Sequence, residues 1–118
     1  MAATTTFINS LLEAGFKGTT YTGGVIKVKL FTVNLPSSGG VEVTGGSYVA
    51  QTLTFASASA KRIVSAQVTF SNLPTTEIKA YGIYSGVTLI DEKLIVPSFT
   101  ADLSTNELKV TYDFSLNA

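Results

Sequence analysis

Residues 108–116 alternate throughout. Leu108, Val110, Tyr112, Phe114 and Leu116 take one set of positions, while Lys109, Thr111, Asp113 and Ser115 take the other. Successive side chains of an extended chain point to opposite faces, so the run reads as a strand with one buried and one wet face. A helix would scatter the same residues around its circumference. The period recurs in residues 41–70. There Val49, Leu53 and Phe55 share one side of a first run, with Gln51 among them. Val64, Ala66, Val68 and Phe70 share one side of a second, with Ser65, Gln67 and Thr69 opposite.

Other runs fit the same architecture. Residues 25–33 put Ile26, Val28 and Leu30 on one face and Lys27, Lys29 and Phe31 on the other, where paired lysines read as a wet face or a guarded edge. Residues 78–85 form a strand in which Gly82 marks a bulge or a close backbone approach. Residues 87–96 are apolar on both faces except at Asp91, Glu92 and Lys93, which suits a strand covered on both sides or bent where the charges fall. Pro97 is expected to end it, and Phe99, Ala101 and Leu103 to form a separate short strand before a turn at 104–106. About seven strands with turn residues between them predict an all-β chain, a single-domain antiparallel β-sandwich of jelly-roll type with seven or eight strands.

Two segments stand apart. Thr4 to Thr6 can cap a short helix over residues 7–14, with Phe7, Ile8, Leu11 and Leu12 on one face and Gly15 as its stop. About two turns cannot stand alone, so the helix must dock on this chain or on a neighbour. Residues 34–46 form a long loop with Pro36, Gly39, Gly40, Gly45 and Gly46, turning sharply at least twice. Within it Val41 and Val43 are apolar enough for a brief edge pairing.

Composition removes most chemistry. The 118 residues hold no cysteine and no histidine, which excludes disulfides, thiolate or imidazole zinc sites and Ser-His or Cys-His catalytic pairs. Eight Lys and Arg balance eight Asp and Glu, so the basic surplus that displaces counterions from nucleic acid is missing. No run reaches the ~18 apolar residues of a membrane span, and the amino terminus lacks the pattern of a signal peptide. Asp91 and Glu92 point to opposite faces of a strand and cannot act as a paired acid and base. Asp102, Glu107 and Asp113 can approach across the last hairpin, where solvation outweighs a weak calcium site that would need about 6–8 oxygens. Residues 15–20 lack the Gly-Lys-Ser/Thr order of a phosphate loop. The tyrosines Tyr21, Tyr48, Tyr81, Tyr84 and Tyr112 read as packing residues before a sugar or partner platform. Neither catalytic, cofactor nor metal residues emerge. Charged residues make up 14% of the chain, against roughly 25% in ordinary domains, which leaves surface apolar patches poorly broken up. Much of that surface is expected to be covered by other protein.

The order of pieces resembles a family of small bacteriophage virion proteins, usually labelled tail-fibre or minor tail proteins. The resemblance rests on a short helix and then Val-Lys-Leu-Phe-Thr-Val at residues 28–33. A loop ending Glu-Val-x-Gly-Gly-x-Tyr at 42–48 and Gln-x-Leu-Thr-Phe at 51–55 follow. Val-Thr-Phe at 68–70 precedes a proline turn, Gly-Ile-Tyr follows at 82–84, and an apolar strand closes the chain. Where the family carries an aromatic-rich run, often with tryptophan, this chain has Thr75-Thr76-Glu77 and no tryptophan. The resemblance spans nearly the whole chain and implies a non-enzymatic virion structural protein made in a host cytoplasm. It would be tail-associated and would pack against other tail or capsid subunits, as a homo-oligomer with a trimer favoured. Phe7, Ile8, Leu11, Leu12, Leu35, Val41, Val43 and Tyr48 are the candidate interface residues. A head decoration (capsid cement) protein is the alternative, since 118 residues leave no room for a fibre shaft. A carbohydrate- or peptide-binding β module is a more distant one.

Overall fold

Strand after strand pairs antiparallel in the computed structural model, which describes residues 4–18, 25–101 and 107–115. The helix α1 (Thr5–Lys17) comes first, then β1 (Ile26–Thr32), a 3-10 turn (Pro36–Ser38), β2 (Val41–Glu42) and β3 (Gln51–Thr52). Next come β4 (Arg62–Val64), β5 (Val68–Phe70) and the long hairpin of β6 (Thr76–Ser85) and β7 (Thr88–Ala101). The last are β8 (Leu108–Val110) and β9 (Asp113–Ser115). The all-β reading with one short amino-terminal helix therefore holds. One sheet runs β2-β1-β6-β7, with β3 also paired to β1. The ladders β4–β9 and β5–β8 are both antiparallel. Val28, Leu30, Ile78 and Ile83 from the sheet meet Leu53, Phe70, Val110 and Tyr112 from the facing segments in one buried core.

The alternation of residues 64–70 breaks in the middle. Ser65 is buried and Ala66 exposed, the reverse of the expected phase, and the run divides into β4 and β5. The Ser65 amide donates to the Tyr112 carbonyl at 2.8 Å, and the Tyr112 amide donates to the Ser65 hydroxyl oxygen at 2.8 Å. A side-chain oxygen thus stands in for a backbone carbonyl, and turning it inward satisfies a buried donor. The last run keeps its predicted face, with Val110 and Tyr112 buried and Leu108 and Phe114 half-buried, though it too divides around Tyr112.

The hairpin departs from expectation at Pro97. Strand β7 continues through it to Ala101, because Ile78 pairs Phe99 while Ala80 pairs Leu94, so the residues around Pro97 bulge out of the ladder. A second slip at Ile83 and Tyr84 leaves Ile90 unpaired beside Asp91, the bend expected where the charges fall. Gly82 marks a close approach: a Cβ there would lie 3.0 Å from the Pro36 ring and 2.9 Å from the Tyr84 ring. The 34–46 loop is accordingly pinned to the sheet, with the Ser37 amide donating to Glu92 at 2.9 Å. Strand β1 lies inside the sheet, so its lysines guard no edge. Lys29 sits 4.5 Å above the Tyr84 ring, which also stacks on Phe31. Just beyond β1, Val33 takes φ 71° and the Asn34 amide donates back to the Thr32 carbonyl, a tight turn that is costly for a β-branched residue. The predicted 18–24 link (past Gly18) and 104–106 turn, with Tyr21, Asp102, Leu103 and Leu116, lie outside the described residues.

Candidate functional site: the amino-terminal helix and the cavity beneath it

Helix α1 is longer than its sequence signals implied. Gly15 lies inside it, and Gly18, at φ 69°, provides the left-handed stop. Thr4 is the N-cap, its hydroxyl oxygen accepting from the Phe7 amide at 3.4 Å. The same residue fastens the helix to the sheet. Its amide donates to the Ile90 carbonyl at 2.6 Å and its hydroxyl to the Leu89 carbonyl at 2.7 Å. Successive carbonyls of a regular strand point to opposite edges, so the slip at Ile90 is what offers both to one residue.

None of the thirteen helical residues is buried. At about 100° per residue, Phe7, Leu11 and Ala14 take one part of the circumference and Ile8, Leu12 and Phe16 the adjoining part. Together they make an apolar arc about 200° wide, twice what a helix lying on one surface uses. The first stripe faces the domain: the Phe7 ring meets Phe114 edge-on with centroids 6.0 Å apart. The second runs outward, from half-buried Ile8 to Leu12, 50% exposed, and Phe16, 87% exposed.

Beneath the first stripe is a cavity of about 380 Å³ at one end of the core. Ile26, Ile83 and Ile90 line it from the sheet, and Phe55, Ile63 and Phe114 line it from the facing segments. Phe7 and Leu11 roof it, and the stems of Lys61 and Arg62 close its rim. Ala60 and Lys61, both at positive φ, form the two-residue turn that carries this rim. The Arg62 guanidinium is forked onto the Asp113 carboxylate, which is held below its ordinary value chiefly by that hydrogen bond.

The eight expected interface residues separate into three groups. Leu12 and Val41 are exposed, while Ile8, Leu11 and Leu35 are half-buried. Phe7 packs on the core. Val43 and Tyr48 join Phe7 against the core. Val43 is 3% exposed and belongs to the core, because the loop folds back through its amide bond to the Leu30 carbonyl. The Tyr48 ring stacks on Phe70, its hydroxyl donates to Glu42 at 2.6 Å and accepts from the Leu30 amide, and burial raises its pKa. Phe16 was missed because Gly15 read as the helix end; its spacing of four from Leu12 was the available signal.

The described residues bring no catalytic group together. The Tyr112 hydroxyl donates to Asp91 at 2.8 Å, and burial, with that hydrogen bond second, pushes its phenol up. Asp113 is committed to Arg62, and no three acidic residues gather among the described residues. Tyr48, Tyr81 and Tyr84 are half-buried and Tyr112 buried, so among the described residues no exposed tyrosine platform forms beside the long loop. No protein-family model, characterised protein or solved structure matches this chain.

Proposed function

We propose that this protein is a non-enzymatic assembly subunit of a bacteriophage particle, tail-associated, and that it docks on neighbouring subunits through the outer stripe of α1. The observation that carries this reading is the helix itself. Its apolar arc is twice as wide as the domain covers, and Leu12 and Phe16 face water on a segment fastened to the sheet at Thr4. An exposed apolar stripe on a fastened helix is a surface waiting for protein. The edges argue against strand-to-strand joining. On β7 the bulges, Lys93 and Pro97 blunt the sheet, and on the other side β2 and β3 have two residues each. Low charge and neutral balance suit a subunit that lies against others, and the ordered motifs from Val28 to Phe114 supply the likeness to virion proteins.

A Leu12→Asp, Phe16→Asp double variant tests the reading. Both sites are exposed, so thermal stability should change little while incorporation into particles falls by an order of magnitude or more. Incorporation at the wild-type level would overturn the docking role of α1.

A further inference from the structure

The cavity under α1 has a one-sided chemistry that the docking stripe does not use. Its walls are isoleucine and phenylalanine side chains, and the one phenol among them, Tyr112, is already donating to Asp91. Its two charged lining residues are both cations, at adjacent positions on the rim turn, and no acidic residue lines it. Long cationic side chains lay their stems along apolar walls and keep their heads in water. Arg62 is neutralised by Asp113, whereas Lys61 makes no ion pair with a described residue. The mouth therefore keeps one unspent positive charge. At about 380 Å³ the space falls at the lower end of small-molecule sites, roughly 300–1,000 Å³.

We propose that this cavity binds a free single-chain amphipathic anion, a medium-chain aliphatic carboxylate, with its chain against Ile63, Ile83 and Phe55 and its head group at Lys61. The occupant must be apolar because no unused hydrogen-bonding group inside would repay the desolvation of a polar one. It must end in an anion because the rim offers only a cation to a head group.

The test is calorimetric titration of the intact chain with decanoate below its micelle concentration, with decanol as the neutral comparison. Decanoate should saturate at one per chain and bind more tightly than decanol. Lys61→Glu should weaken decanoate about five- to tenfold at low salt and leave decanol unchanged, while Lys61→Arg retains the affinity. Ile63→Trp should fill the space and abolish binding. Ala58→Phe, at an exposed rim position, repeats that test without touching the core. Four results would overturn the proposal. They are no saturation, equal affinity for decanoate and decanol, a Lys61→Glu variant that binds like wild type, and binding unchanged by both filling variants. Two further outcomes also count against it: a dimer by light scattering that Ala58→Phe disperses, placing a second copy's apolar stripe in the cavity, and flotation of the protein with phosphatidylglycerol vesicles, placing a bilayer there.

Discussion

One side chain decides how the facing ladders are joined. The Ser65 hydroxyl oxygen meets the buried Tyr112 amide, so Ser65→Ala should cost about 1–3 kcal/mol in urea denaturation, the cost of stranding a buried donor. A loss below a few tenths would mean that the ladder closes without it. Tyr48 and Tyr112 set the alkaline limit. Burial first, and their carboxylate partners second, raise both phenols above their ordinary value. An unfolded tyrosine ionises near pH ~10, so above that pH the unfolded state holds fewer protons and gains on the folded one. Their contribution is therefore complete below pH ~10 and is lost as pH rises through the folded values. Urea midpoints should begin to fall near pH ~10 and continue to fall as the pH rises further. The Tyr48→Phe, Tyr112→Phe variant should start lower and show a flatter profile, and an equally steep one would contradict the assignment.

At the scale of elements, α1 is held to the sheet at Thr4 and buries none of its own residues. Gly15 is a helical position with open space around its Cβ and no positive φ, so Gly15→Ala should stabilise the chain by about 0.5–1 kcal/mol. Deleting residues 1–17 should leave a folded β domain with a lower melting temperature, because the helix buries none of its own residues. A truncated chain with a coil-like circular dichroism spectrum would instead make the helix part of the core. Much of this level was legible in the sequence. The alternation gave a face that holds from Leu108 to Phe114, and Val41 was placed in its edge pairing with β1. Three features were not legible, each because a tertiary partner overrides a local signal. Ser65 turns inward for an amide forty-seven residues away, Pro97 is carried in a bulge opposite β6, and Gly15 stays helical because Gly18 is the stop that is used. The proposed stripe was half legible: Ile8, Leu11 and Leu12 lie on the helix as their spacing predicts, Phe16 fell beyond the expected helix end, and nothing local shows that the long loop folds back to bury Val43.

Across the described residues, a blunt-edged antiparallel β body carries one α-helix whose outer stripe runs from half-buried Ile8 to exposed Phe16. Among the described residues no metal-ligating cluster forms, and the outer stripe of α1 is the surface through which we propose the chain is held by others. If α1 docks within a particle, the protein must be a stoichiometric component of that particle. The direct measurement is its copy number in purified particles, by quantitative mass spectrometry against the major capsid protein. A tail subunit should be present in a handful of copies, in threes or sixes, set by tail symmetry. A fixed fraction of the capsid count would move the protein to the head and keep its assembly role. Its absence from the particles would contradict the account.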